Sequence, residues 1–310
     1  MSATRTRQRA AARGDAIVHQ TGILAPVPAH ARYLSFVLRP DADAGAALDE
    51  LAAPMFADGD SIVVGLGESM LQALGAAVPG LRTMTPIEGA KVAVPSTPAA
   101  LWVWLRGKDR GELLHRSRVI EEALAESLEL DSAIDGFMFD GGRDLSGYLD
   151  GIENPKGRKA AKAALVAGAG DGLDGGSFVA VQQWLHDLDH FESLSPETRD
   201  HIFGRSRLTD EELDDAPPAA HVKRTAQEDF DPEAFVVRRS MPWADAMDAG
   251  LVFVSFGDTL DKFEAQLRRM VGAEDGIVDN LFRFTRPVTG AYFWCPPVRD
   301  GRLDFTAIEG

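Results

Sequence analysis

Seven histidines and one cysteine, Cys295, are the residues of this 310-residue chain best suited to metal or nucleophile chemistry. A lone cysteine permits no internal disulfide, no Cys-x-x-Cys zinc site and no Cys-x-x-Cys-His haem attachment. His186 and His190 stand four apart among Asp187 and Asp189, and on a helix that spacing would turn two imidazoles to one face as metal ligands. The plainer expectation is an exposed acidic helix face, since Asp187 stands where a metalloprotease helix carries glutamate. Nucleotide and acyl-transfer motifs fail on spacing. Gly65-Leu66-Gly67 follows a strand, but Met70 occupies the third glycine position; Gly67-Glu68-Ser69 begins a nucleophile elbow that Leu71 leaves unclosed. Gly168 to Gly172 lacks the Gly-Lys-Ser/Thr of a phosphate loop. His221 remains, in Ala219-Ala220-His221-Val222-Lys223-Arg224, followed by Val236-Val237-Arg238-Arg239-Ser240-Met241-Pro242-Trp243.

Taken together with Arg143-Asp144-Leu145-Ser146-Gly147-Tyr148-Leu149-Asp150-Gly151-Ile152-Glu153-Asn154-Pro155, these segments resemble the dye-decolourising peroxidases, a haem family, and its bacterial B-type branch in particular. The Gly-x-x-Asp-Gly element is Gly147 to Gly151. Further similarity lies in Gln20 to Leu24, Gly175 to Phe178 and Arg283 to Gly290, so the resemblance spans about residues 20–295 in five ordered pieces. It implies two ferredoxin-like domains with antiparallel sheets, and one haem b per chain bound mainly by the second. His221 would be the axial iron ligand, Asp150 the distal acid–base residue and Arg238 the distal arginine, also near a haem propionate. Ser240 stands where many relatives have Asn, as in some B-type members, and would position peroxide by a single hydrogen bond. Asp279, just before the Arg283 motif, is the candidate acceptor for the second ring nitrogen of His221, since such ligands usually donate to a carboxylate. The implied substrates are hydrogen peroxide and small organic electron donors such as dyes, phenolic or porphyrin compounds. A haem- or porphyrin-handling protein with incidental peroxidase activity is the alternative. Without the other motifs, Asp150 reads as a turn residue and Arg238 as a surface ion-pair partner. Trp184, Trp243, Trp294 and Tyr148 lie beside the motifs, mostly as core by expectation.

The elements that would position these residues follow an α+β pattern. Arg32 to Arg39, Ser61 to Gly65 and Leu101 to Leu105 read as strands, with Ala133 to Phe139 closing the sheet. Ala42 to Phe56, Glu68 to Ala77 and Gly111 to Leu128 read as helices. The β-α-β-β-α-β order suggests a ferredoxin-like unit. Ten glycines between Gly141 and Gly176 mark a loop-rich boundary. Beyond it Ser177 to Trp184, Phe235 to Arg238 and Leu251 to Phe256 read as strands, and Leu185 to Phe191 and Asp258 to Met270 as helices. Another helix begins at Ser195-Pro196-Glu197, and Thr209 to Pro218 reads as a loop. A second ferredoxin-like unit fits this half, with a doubly wound parallel sheet as the rival. The expected division is a disordered basic tail over 1–20, one domain over 21–142 and the haem-binding domain over 143–310.

The net charge of −16 opposes nucleic acid and anionic membrane surfaces as partners, the more so because the first fourteen residues carry four arginines and no acid. The sequence contains no run long and apolar enough for a membrane span and no signal-peptide centre, which suggests a cytoplasmic protein. Ferredoxin-like sheets commonly pair, so a homo-oligomer is expected. Val298 to Gly310 reads as a frayed terminus or, less readily, a docking tail for a protein-shell compartment.

Overall fold

The computed structural model describes residues 18–309. The first half runs β1 (His30–Leu38), α1 (Ala44–Leu51), β2 (Ile62–Leu66), α2 (Glu68–Ala73), β3 (Leu101–Gly107), α3 (Arg110–Leu124) and β4 (Leu128–Phe137). The second runs α4 (Arg158–Ala164), β5 (Ser177–His186), α5 (Leu188–Ser193), α6 (Pro196–Phe203), α7 (His221–Arg224), β6 (Val237–Arg238), β7 (Met241–Asp245), β8 (Asp248–Gly257), α8 (Asp261–Met270), β9 (Thr285–Pro287) and β10 (Ala291–Cys295). A short hairpin of β11 (Val298–Arg299) and β12 (Arg302–Leu303) follows. Caps fall where the side chains permit. Asp109 accepts from Glu112 N at the start of α3, and Ser195 from Thr198 N at the start of α6.

Strand order in the first half is β4-β1-β3-β2, and in the second β10-β5-β8-β7. Numbered within each half, both read 4-1-3-2, the ferredoxin-like order. Among the described residues every strand pairing is antiparallel, which removes the parallel-sheet alternative. The halves also join: Trp294 pairs with Leu66, and Gly136 with Trp243, while β5 pairs with β8 along its length. Eight strands thereby close into a ring, and β6 and β9 continue the lanes of β7 and β10.

Alternation along each strand gives the ring two faces. The inner face holds an aromatic core: Tyr33, Trp102, Trp104, Phe256 and Phe293 lie within it, with Trp104 stacked on Tyr33 at 6.0 Å between centroids. The outer face of the first half, including Leu34, Phe36, Val103 and Leu105, is covered by α1 and α3 through Leu51, Leu113, Ile120 and Leu124. On the second half the outer residues Gln182 and Trp184 of β5, and Leu251, Phe253 and Ser255 of β8, face a cavity instead.

Four expectations are corrected. Leu185 and His186 continue β5, and the helix begins only at Leu188, because the strand's alternation extends two residues further than its apolar run. The basic tail does not reach residue 20. Val18 exchanges backbone hydrogen bonds with Val298, and the buried Gln20 side chain bonds to Val64 and Pro296; the rest of that expectation lies in residues 1–17, outside those described. Val298 to Ile308 is neither frayed nor a free docking tail, since Leu303 and Phe305 are buried in the main core. Finally, β4 starts at Leu128, five residues early, because exposed Glu129 and Asp131 alternate with Leu128 and Leu130 and interrupt its apolar run.

Candidate functional site

The cavity of about 280 Å³ lies between the outer face of β5–β8 and the helices α7 and α8. Its helical wall is apolar, with Phe263, Leu267 and Met270 of α8. His221, first residue of α7, also lines it. The His221 Nδ1 lies 2.7 Å from Asp279 Oδ2, and Asp279 is fully buried, its other oxygen accepting from Leu281 N at 2.8 Å. A carboxylate can only accept, so Nδ1 carries the hydrogen and the Nε2 lone pair is left available on the cavity side. A backbone bond from Asn280 N to Ala219 O ties the two loops together, and Thr225 Oγ1 caps the His221 carbonyl.

The loop from Arg143 to Asn154 supplies the other side. Its turns need glycine: Gly147 and Gly151 have φ of 87° and 78°. A Cβ at Gly147 would strike the Arg207 guanidinium, and one at Gly151 the Asn154 amide. Arg143 binds the loop internally through Gly147 O and holds Asp210 by two parallel bonds of 2.8 and 2.9 Å. That contact holds the Asp210 carboxyl below the usual range. Asp150 follows on this loop, and Asp150 Oδ1 lies 3.6 Å from Arg238 Nε, with both residues lining the cavity. Arg238 is fixed by Asn154, whose Oδ1 accepts from Arg238 N at 2.8 Å and whose Nδ2 donates to Arg238 O at 3.0 Å.

The structure thus brings together four of the five predicted residues in two pairs: Asp150 and Arg238, which both line the cavity, and His221, which lines it with Asp279 buried behind it. Ser240 sits apart. It lines a smaller adjoining pocket with Asp150 and Arg238, and its Oγ accepts from Val254 N at 3.3 Å.

His186 fits neither expectation made for it. It is the last residue of β5 and its side chain is nearly buried, with Nε2 3.0 Å from Asp144 Oδ2 and Nδ1 2.6 Å from Thr285 Oγ1. His190 lies on α5 and is exposed. Burial pushes the Asp144 carboxyl up, but bonds from His186 and from Ser146 outweigh it and hold it below its ordinary range. This clasp pins the Asp150 loop to the sheet. Tyr148, also on the cavity wall, donates to Asp200 and stacks on Phe203; burial and that carboxylate push its phenol up.

Sequence reasoning missed Asn154 as the Arg238 clamp, the Asp144–His186 clasp, and two buried polar residues of the sheet wall, Gln182 and Ser255. The signal for the last two was a pair of glutamines inside the apolar run Ser177 to Trp184 and a serine inside Leu251 to Phe256. Gln182 Nε2, Ser255 Oγ and Arg238 Nε are buried without a hydrogen-bond partner, and all three residues line the cavity.

Residues 141–300 match the Dyp-type peroxidase C-terminal family. The dye-decolorizing peroxidase of Mycobacterium tuberculosis is 31% identical over 246 residues, 77% of this chain and 73% of that protein; the one from Rhodococcus erythropolis is also 31% identical, over 248 residues and the same shares. Among solved structures, a variant of Rhodococcus jostii RHA1 DypB in complex with heme has a TM-score of 0.81 at 28% identity, covering 88% of this chain and 94% of that one. The dye-decolorizing protein from V. cholerae has a TM-score of 0.79 at 30% identity, covering 89% and 96%. These relatives share the ferredoxin-like fold. Because the matched span takes in every segment that walls the cavity, and the relatives extend over both halves of the ring, the chain belongs to the dye-decolourising peroxidases, with the B-type DypB among its structural relatives.

Proposed function

We propose that the cavity is the peroxidase centre, where His221 would hold the haem iron and Asp150 and Arg238 would act on peroxide. The chain is a haem-dependent peroxidase that reduces hydrogen peroxide and oxidises organic donors. The residues present fit a haem: an apolar wall from α8, an imidazole nitrogen free on the cavity side, and buried donors without partners. When bound, the haem iron supplies the two-electron reduction of peroxide and takes the electrons back from a donor.

The carboxylate of Asp279 fixes the His221 tautomer and orients its ring, and it raises the basicity of Nε2. Asp150 moves a proton from one peroxide oxygen to the other, a carboxylate being able to accept and return it without leaving the site. Arg238 holds the peroxide and offsets negative charge as the O–O bond breaks, most effectively where water is scarce. Ser240 acts behind them: from the adjoining pocket its hydroxyl steadies the β6–β8 junction on which Arg238 rides.

In this reading the spans 21–142 and 143–310 are two ferredoxin-like domains, the second holding the haem; the repeated 4-1-3-2 strand order supports it. No described helix is long and apolar enough to cross a membrane. We place the protein in the cytoplasm, which suits a single, buried, unpaired Cys295, and expect a homo-oligomer. The observation that carries the proposal is the joint presence of the His221–Asp279 and Arg238–Asp150 pairs on one cavity.

The test is a visible spectrum of the haemin-saturated protein before and after one equivalent of hydrogen peroxide, for the parent and for His221→Ala. A prompt spectral change that the variant loses is expected. Tight haem binding with no response to peroxide would instead indicate a haem-handling protein.

A further inference from the structure

We infer that Gln182 and Ser255 extend the Arg238 corner of the cavity into a row of donors that binds an anionic oxygen. Ser255 is the cross-strand partner of Arg238 in the β6–β8 pairing, so the two side chains leave the sheet on the same face. Across β8, Ser255 pairs with Ala180 of β5, and Gln182, two residues along, is its diagonal neighbour on that face. The three polar residues therefore run across the sheet wall of the cavity. Around them the wall is hydrophobic, with Leu251 and Phe253 from β8 and Trp184 from β5.

Chemistry fixes the Gln182 amide. Trp184 Nε1 can only donate, and it lies 3.3 Å from Gln182 Oε1, so the oxygen is engaged and the donor Nε2 is turned away from the indole. Nε2 has no partner, nor has Ser255 Oγ, although Gln182 and Ser255 are only 1% and 2% exposed; Arg238 Nε makes no hydrogen bond either, Asp150 Oδ1 standing 3.6 Å from it. Each such group costs about 1–3 kcal/mol in a dry wall, so three in a row are unfavourable unless a common acceptor meets them. A cation and two neutral donors suit an acceptor carrying negative charge on oxygen, which would share the guanidinium with Asp150.

Two sources offer that chemistry: a carboxylate of the bound haem, or a small anion entering beside it, such as deprotonated peroxide. The inference rests on the reading of the cavity as a haem site. Gln182→Leu, Ser255→Ala and the shape-conserving Gln182→Glu would be compared with the parent in two measurements. One is the rate of haem loss to excess apomyoglobin, repeated with haem dimethyl ester. The other is the affinity of the ferric protein for azide and fluoride, read by visible titration.

Loss of one charge-assisted bond should change the affected quantity by about tenfold. If the haem carboxylate is the ligand, haem leaves about tenfold faster from each variant, Gln182→Glu being the worst, and the difference from the parent disappears with the ester. If a free anion is the ligand, azide and fluoride affinities fall by about that factor while haem loss is unchanged. In either case the haem-free Ser255→Ala protein melts no lower than the haem-free parent, because the lost hydroxyl had no partner to lose. Parental haem loss and parental anion affinity in all three variants would overturn the inference while leaving the haem site intact. Failure of the parent to take up haem would overturn both.

Discussion

Asn154 grips Arg238 by both of its main-chain polar groups, across 84 residues of sequence: Oδ1 accepts from the Arg238 amide at 2.8 Å and Nδ2 donates to its carbonyl at 3.0 Å. Asp150 and Asn154 share one loop, so the same grip sets the spacing between the Asp150 carboxylate and the Arg238 guanidinium. Asn154→Ala should leave haem uptake intact but slow the reaction with peroxide, and should destabilise the fold by about 1–3 kcal/mol through the unpaired backbone groups. Stopped-flow absorbance and thermal melting read the two effects. A variant with the parental peroxide rate would show that the grip does not govern the Asp150–Arg238 geometry.

The pair itself should divide by role. Asp150→Asn removes the proton carrier and is expected to slow the peroxide-driven spectral change by about 10²–10⁴-fold. Arg238→Leu removes the fixed cation, for an expected loss of about 10²–10³-fold. Both are followed as bimolecular rates under excess peroxide. If either variant reacts at the parental rate, the corresponding role is wrong.

Asp279→Asn keeps a carbonyl for His221 Nδ1 but removes the charge. The ring stays in place while Nε2 becomes less basic, so the iron midpoint potential should rise and haem should be held about 10–100-fold less tightly. Spectroelectrochemistry and haem transfer to apomyoglobin measure these. An unchanged potential would mean that the 2.7 Å contact orients the ring without tuning it.

The His221, Asp150 and Arg238 segments stood out in the sequence through a family resemblance, and Asp279 through the rule that such an imidazole donates to a carboxylate; the first three line one cavity and Asp279 lies against His221. Asn154 was visible in the same motif but carried no role, because its partner is a backbone, which no side-chain pattern reveals. His186 was misplaced for a local reason: Leu185-His186 looks like the start of the Leu188 helix, whereas both residues complete the alternation of β5. The first-half helices and strands were legible from periodicity to within a few residues at their ends. Closure of the ring was not. It depends on single-residue pairings, Trp294 with Leu66 and Gly136 with Trp243, whose partners are more than a hundred residues apart.

Acid should loosen the site loop. Asp144 is held below its ordinary value of 3.8: burial alone would raise it, but the bonds from His186 and Ser146 prevail. A carboxyl whose folded pKa lies below its unfolded one stabilises the protein above the unfolded value and loses that contribution as pH falls through the folded one. Asp210 beside Arg143 and Asp275 beside Arg224 are lowered in the same direction. The melting temperature should therefore drop steeply below about pH 4, and Asp144→Asn should drop less over that interval while starting lower. Melting curves across the acid range test this; identical slopes for variant and parent would exclude the clasp as a contributor.

Phe305 lies 4% exposed in the main core, close to the end of the chain. Phe305→Ala should cost about 3–5 kcal/mol, as for any large core aromatic. Denaturant unfolding measures it, and a loss below 1 kcal/mol would mean that the terminal segment is only lightly docked.

A closed hoop of hydrogen-bonded strands has no end from which to peel. Among the eight strands of the ring each is held on both sides, so unzipping cannot begin at an open margin as it does in a flat sheet. The sheet wall of the cavity is part of that hoop, whereas the His221 wall is a four-residue helix between loops. The site accordingly resembles an anvil and a hammer: Gln182 and Ser255, the latter the strand partner of Arg238, sit on the stiff member. Any breathing that admits a cofactor or a bulky donor must come from the side of α7.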